Sequence, residues 1–275
     1  MLVTLNDLLV RAKAENYAVP ATNIDNEHNL RAAVEAAEEM NSPLILNVTP
    51  QANPDLEFFG PIAAEMARRS SAKLCLNLDH GRDFKSCLLG IRSGFTNIMI
   101  DRSTLPYADN VREVKEMVRI CHELGLTVEA ELGHVGMGVQ YDVDGDQALT
   151  DAEEAKAFIE ETGADALAVA IGTAHGAYKG TPRIRFELLH KLRDAVPVPL
   201  VLHGGSGTGE ENLRRCTKEG INKLNLSNDL KKAAIENLTN RDLSGNTVYQ
   251  LYPLLAEGFK NKIKYYIELC GCQGK

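Results

Sequence analysis

The stretch Ala166-Leu167-Ala168-Val169-Ala170-Ile171-Gly172-Thr173-Ala174-His175-Gly176 (166–176) begins with six consecutive apolar residues and ends on a histidine set among small residues. A strand with one face in water alternates apolar and polar positions. An unbroken apolar run instead suits a strand buried on both faces, as in a parallel sheet covered by helices. Pro43–Val48 has nearly the same character. Working outward, further β-rich runs fall at Tyr17–Ile24, Lys73–Asp79, Phe95–Asp101, Thr127–Leu132, Pro199–His203 and Ile221–Leu226. Helix-like segments such as Glu27–Met40, Asp109–Leu124 and Asp151–Thr162 lie between them, and Gly94, Gly125, Gly163, Pro197 and Gly220 punctuate the joints. Eight such runs in a chain of 275 residues predict one (β/α)8 TIM barrel spanning 1–275. Leu5–Asn16 is expected as an N-terminal lid helix and Thr247–Cys270 as a C-terminal helical tail. A doubly wound open sheet is the rival architecture.

Composition narrows the function. Asp plus Glu number 38 against 30 Lys plus Arg, a formal charge of −8, which disfavours nucleic acid as a partner because backbone binding needs a positive field. No stretch approaches the ~20 apolar residues of a membrane helix, and the N-terminus lacks the layout of a secretion signal. A cytoplasmic location with six reduced cysteines is therefore expected. Cys270 and Cys272 have no histidine or second cysteine pair beside them and read as free thiols.

The polar residues that end the apolar runs carry the chemistry. Asp79-His80, Asp101, Glu131, His175 and His203 each close one run or follow it directly. In a parallel barrel all strand C-termini open on one face, so these five segments converge. Three histidines on one rim form the ligand set of a catalytic zinc site with an open position. Asp101 and Glu131 are candidates to orient the imidazoles or to hold an alternative metal position. His28, His122 and His190 fall in helical segments, whereas His134 lies in the rim loop. Gly176, Gly204-Gly205-Ser206 and Asn225-Leu226-Ser227-Asn228 supply glycines and a helix start after the last strands, where barrels often bind phosphate. Lys179 can add positive charge there or be a solvated loop lysine. A metal beside a phosphate pocket suggests Lewis-acid chemistry on a phosphorylated carbonyl compound. Asp79 would then move a proton at a substrate oxygen, its structural alternative being to cap the next helix.

Taken together, Asn77-Leu78-Asp79-His80-Gly81, Ile98-Met99-Ile100-Asp101-Arg102-Ser103, Glu129-Ala130-Glu131-Leu132-Gly133, the 168–180 stretch, Leu202-His203-Gly204-Gly205-Ser206-Gly207 and Lys223-Leu224-Asn225 resemble the class II, metal-dependent ketose-bisphosphate aldolases. The resemblance runs in order through essentially the whole chain. It implies that His80, His175 and His203 hold zinc or another divalent ion, with Asp101 and Glu131 near the metal. It further implies that Asp79 is the catalytic acid, and that Asn23, Gly176, Gly204, Gly205, Ser206 and 225–228 meet dihydroxyacetone phosphate. A monovalent cation (Na+ or K+) near that pocket and a homodimer or homotetramer are also implied. Two positions depart from the family pattern. The loop 134–146 has no glutamate where the family carries a base, leaving Asp142, Asp144 and Asp146 as substitutes or as a solvated acidic turn; and Asn228 stands where threonine is common. The expected substrate is thus a ketose 1-phosphate or bisphosphate that need not be fructose 1,6-bisphosphate. Two alternatives remain at this level. One is a barrel hydrolase, disfavoured because Tyr17–Ile24 contains no His-x-His. The other is a sugar-phosphate-binding paralogue without catalysis, disfavoured by an intact Asp79.

Overall fold

The computed structural model of the chain describes residues 1–136, 149–176, 178, 182–245 and 247–275. Among these, the strands are β1 (Val19–Asn23), β2 (Leu44–Val48), β3 (Leu74–Gly81), β4 (Asn97–Ile100), β5 (Thr127–Leu132), β6 (Ala166–Val169), β7 (Leu200–Leu202) and β8 (Ile221–Leu226). Each pairs in parallel with the next, and β8 pairs with β1, so the sheet closes into a barrel rather than staying open. Helix α1 (Asn6–Glu15) precedes β1. One helix then follows each strand: α2 (Glu27–Glu39), α3 (Leu56–Arg69), α4 (Phe84–Arg92), α5 (Tyr107–Glu123), α6 (Ala152–Thr162), α7 (Phe186–Ala195), α8 (Glu210–Glu219) and α9 (Asn228–Thr239). Helix α10 (Val248–Cys270) ends the series and packs on α9 and α2. This is the (β/α)8 barrel with terminal helices that the apolar runs predict.

The helices form for local reasons. In α5 the buried Val111, Val114, Met117, Val118 and Cys121 recur at helical spacing and make one stripe against the barrel. Helix α6 starts where the Asp151 carboxylate accepts the Glu153 and Glu154 N–H groups, and stops at Gly163. The lid expected at the N-terminus sits at the opposite mouth from the candidate site. The Leu5 N–H donates to Thr127 Oγ1 at the start of β5, and Lys13 Nζ donates to the Val196 and Val198 carbonyls just before β7. Leu5, Leu8, Leu9 and Ala12 bury that face of α1. No helix among the described residues is long and apolar enough to cross a membrane. All six cysteines are free and buried.

Two departures from a plain barrel set up the rim. The interior is polar. Asn47, Asn77 and Asn97 stand side by side in register, with Asn77 Nδ2 donating to Asn47 Oδ1 at 2.8 Å and Asn97 Nδ2 to Asn77 Oδ1 at 2.6 Å. Branched apolar residues usually fill these layers. The second departure lies in β3, where Leu78 pairs with Ile98 but Gly81 pairs with Ile100, so β3 carries one extra residue. His80 adopts a φ of 55° within that bulge. Successive strand residues normally point to opposite faces. The bulge breaks that alternation and lets the neighbours Asp79 and His80 both face the rim.

Candidate metal centre and anion cradle

His80 from the β3 bulge, His175 from the loop after β6 and His203 from the end of β7 come together at the C-terminal mouth. Each offers one ligand atom, and these atoms lie within 4.8 Å of one another. The tautomers follow from the partners. His80 Nδ1 lies 2.9 Å from Asp101 Oδ2, which leaves its Nε2 with the lone pair. His203 Nε2 lies 3.0 Å from Glu129 Oε1, which leaves its Nδ1 with the lone pair. Those two ring atoms face each other at 3.0 Å, and His175 Nε2 is buried with no hydrogen-bond partner. Lone pairs so placed repel unless a proton or cation lies between them. Two nitrogens bound to one tetrahedral zinc at about 2.0–2.1 Å stand about 3.3 Å apart, so the donor set fits a divalent metal.

Carboxylates hold the imidazoles in place. Asp101 also accepts the Ser103 hydroxyl at 2.7 Å. Glu129 is fully buried, and its second oxygen meets Lys223 Nζ at 2.5 Å. This Lys223–Glu129–His203 chain is absent from the sequence expectation, in which Glu129 is only part of a motif. Its signal is legible afterwards: Glu129 shares the interior face of β5 with Glu131, two residues on. Glu131 clusters with His80 and Asp101 as a second possible metal-binding group. It accepts the Val135 N–H at 3.1 Å, and burial pushes its pKa upward. His134 lies 3.7 Å from Glu131 and 3.1 Å from the Ser103 hydroxyl, at the edge of the group. The remaining histidines are elsewhere: His28 stacks on Tyr252, His122 meets Asp165, and His190 meets Glu219.

Burial works against a charge on His80, but the Asp79 carboxylate and the Asp101 hydrogen bond outweigh it and raise its pKa to about 9. Burial and the charge on His80 lower His175 to about 4 and push His203 well below its usual range. Of the three imidazoles, His80 is therefore the one that holds a proton at neutral pH. A metal needs that lone pair, so zinc uptake at pH 7 is expected to release close to one proton per subunit. Release falls to zero as pH rises through about 9, where His80 has already lost its proton. Calorimetric titration in two buffers of different ionisation enthalpy reads this number. No proton release at pH 7 would contradict the assignment of His80.

Asp79, Asn23, His80, His175, Gly176, Gly204, Ser206 and 225–228 line one cavity of about 190 Å³, joined by Thr49, which sequence reasoning missed. Thr49 follows β2 and carries no charge to mark it. Asp79 is buried, and its Oδ1 accepts from Asn225 Nδ2 at 3.1 Å. The capping role open to it falls instead to Asp83, whose side chain accepts the Ser86 N–H at 2.7 Å. Gly204 has a φ of 68°, and a Cβ there would sit 2.2 Å from the Ala174 carbonyl oxygen; only glycine lets the loops carrying His175 and His203 approach this closely. Ser206 Oγ accepts the N–H groups of Ser227 and Asp229 at 3.1 and 3.2 Å. Both lone pairs are thus used, and the hydroxyl proton of this cavity-lining residue is left to donate to a ligand. Gly205 does not line the cavity; its N–H donates to the Asn225 carbonyl and ties the two loops together. Lys179, Asp142, Asp144 and Asp146 lie outside the described residues.

A parallel barrel whose C-terminal rim gathers three imidazoles, a buried carboxylate and a glycine-lined cradle defines a barrel enzyme with a candidate divalent-metal centre. The sequence model of the family described as fructose-bisphosphate aldolase class-II matches residues 3–275, and the chain belongs to that family. The crystal structure of the YdjI aldolase from Escherichia coli K12 is 32% identical with a TM-score of 0.90, matching 100% of this chain and 99% of that one. A proposed fructose-1,6-bisphosphate aldolase from Coccidioides immitis is 28% identical with a TM-score of 0.89, over 98% and 96% of the two chains. A fructose-bisphosphate aldolase from Campylobacter jejuni, 20% identical with a TM-score of 0.83 over 100% of this chain and 96% of that one, shares the fold. Family and fold together support aldol cleavage as the general activity.

Proposed function

We propose that this protein reversibly cleaves a phosphorylated ketose to dihydroxyacetone phosphate and an aldehyde, with one zinc ion per subunit held by His80, His175 and His203. The observation that carries this is the shared cavity: imidazole nitrogens, the Asp79 carboxylate and the Ser206 hydroxyl all face one small space. A divalent cation bound there supplies Lewis-acid polarisation of the donor carbonyl. The chain's own groups do the rest. Asp101 and Glu129 fix the ring orientations of His80 and His203. The Ser206 hydroxyl and the backbone at Gly204 and Asn228 hold the phosphate, in a cavity that Asn23 and Thr49 also line. Asp79 takes the proton from the substrate hydroxyl in cleavage and returns it to the aldehyde oxygen in condensation. The second proton transfer, at the donor carbon, is assigned to one of the acidic residues Asp142, Asp144 and Asp146. The sugar need not be fructose 1,6-bisphosphate, because the 134–146 sequence and Asn228 depart from the pattern of the bisphosphate aldolases.

Incubation with dihydroxyacetone phosphate in deuterated water tests this without knowledge of the aldehyde. Zinc-replete protein is expected to exchange the pro-chiral C–H, followed by NMR, and a chelator is expected to stop it. No exchange by the zinc-replete protein would count against dihydroxyacetone phosphate as the donor.

A further inference from the structure

The loops of the anion cradle are braced from outside the barrel. Ser206 Oγ ties the β7 loop to the first turn of α9 through the Ser227 and Asp229 N–H groups. Asp229 completes the tie, because its Oδ2 accepts the Gly207 N–H at 3.1 Å. The same carboxylate oxygen accepts the Tyr266 hydroxyl at 2.6 Å, from α10. Tyr266 is 2% exposed. Burial and the Asp229 carboxylate together push its phenol well above the ordinary range, so it stays a donor at any working pH. Nothing in the sequence pairs these residues, which stand 37 positions apart.

We propose that Tyr266 is a positioning residue for the anion cradle: its hydroxyl fixes the Asp229 carboxylate, which fixes the Gly207 amide and with it the 204–207 turn against α9. This rests on the cradle binding the phosphate of the donor, as proposed above. Tyr266 lines no part of the cavity and acts only through Asp229. A hydrogen bond to a carboxylate is roughly twice as strong as one between neutral groups. Loss of the hydroxyl leaves that carboxylate short of a donor; Asp229 adjoins cavity-lining Asn228, and its partner Gly207 adjoins cavity-lining Ser206. The loop loses its anchor, and an under-compensated negative charge remains beside a phosphate dianion. Both effects weaken anion binding and neither touches the metal ligands.

The test uses the zinc-loaded, full-length protein in the deuterium-exchange assay, with dihydroxyacetone phosphate and with unphosphorylated dihydroxyacetone. Tyr266→Phe is expected to raise KM for the phosphate ester about five- to tenfold, less than the tenfold or more that a hydrogen bond to a charged group is worth, because Tyr266 acts on the cradle only through Asp229. Its kcat and its rate on dihydroxyacetone should stay within about twofold. Asp229→Ala should reproduce the KM effect. Asp229→Asn, which keeps an acceptor oxygen for both donors, should restore KM to within about twofold. Inorganic phosphate titrated by calorimetry gives a second reading that needs no turnover, with Kd weakened by about the same factor in Tyr266→Phe. An unchanged KM and phosphate Kd would overturn the brace, as would equal losses with and without the phosphate group. If the unmodified protein binds phosphate but exchanges nothing, the aldolase chemistry fails while the phosphate titration still decides the role of Tyr266.

Discussion

Replacement of His203 by alanine is expected to remove stoichiometric zinc while leaving the barrel folded. His203 is fully buried at the end of β7, where one ring nitrogen faces His80 and the other is held by Glu129. Without it the site keeps two imidazoles, and the opposing lone pair that makes the cluster a cation site is gone. Four-ligand zinc sites are worth about 10–16 kcal/mol, so one ligand accounts for about 3 kcal/mol, or at least about 100-fold in affinity. Zinc per subunit after dialysis against a weak chelator reads the effect directly. His122→Ala is the matched control, since His122 meets Asp165 away from the cluster and its loss should leave the zinc content at that of the parent. A His203→Ala protein that retains one zinc per subunit would show that the ligand assignment is wrong. Removal of Glu129 takes away the ring's orienter and leaves the buried Lys223 ammonium unpaired, so zinc affinity should fall by about 10- to 100-fold rather than vanish, together with a loss of stability.

What the sequence discloses of this site, and what it hides, follows from where each residue sits. The three histidines are legible because each follows an apolar run directly, and the C-terminal ends of parallel strands share one rim. The strand limits are less so. Tyr17–Ile24 reads as one run, yet the strand is Val19–Asn23: the Tyr17 and Ala18 N–H groups donate to the Ala12 and Cys270 carbonyls of the flanking helices, and Ile24 keeps one bond, to the Asn47 carbonyl of β2. Glu129 is hidden inside a motif, and its partner Lys223 is 94 residues away, so their pairing exists only once the barrel has closed. The β3 bulge has no compositional mark at all. A single extra residue between Leu78 and Gly81 turns Asp79 and His80 to the same side, and any strand-period reading of 74–81 would separate them. The acidic residues of the barrel core and the tyrosine on α10 belong to the same class of tertiary fact: local pattern places the elements, and closure of the ring decides which side chains meet.

That placement of Asp79 carries the second large expectation. Asp79→Asn should slow ketose cleavage by at least about 100-fold, the lower range for loss of a positioned acid–base group. The asparagine is isosteric, and its carbonyl can still accept from Asn225, so packing in the cavity is preserved. It carries no exchangeable acid and cannot take the hydroxyl proton that cleavage releases. Zinc content should be that of the parent, because the proposed ligand set is His80, His175 and His203 and the substitution leaves all three in place. The exchange of the dihydroxyacetone phosphate C–H should also persist, since that proton belongs to a different atom of the substrate and is assigned to a different group. The diagnostic quantity is therefore a ratio, cleavage rate over exchange rate, which should fall by about two orders of magnitude. If both rates fall together with zinc retained, Asp79 acts on the donor proton and the division of labour proposed for this rim must be redrawn. If cleavage is unaffected, the acid lies elsewhere, and His134, held 3.7 Å from Glu131 at the edge of the metal cluster, becomes the group to replace next.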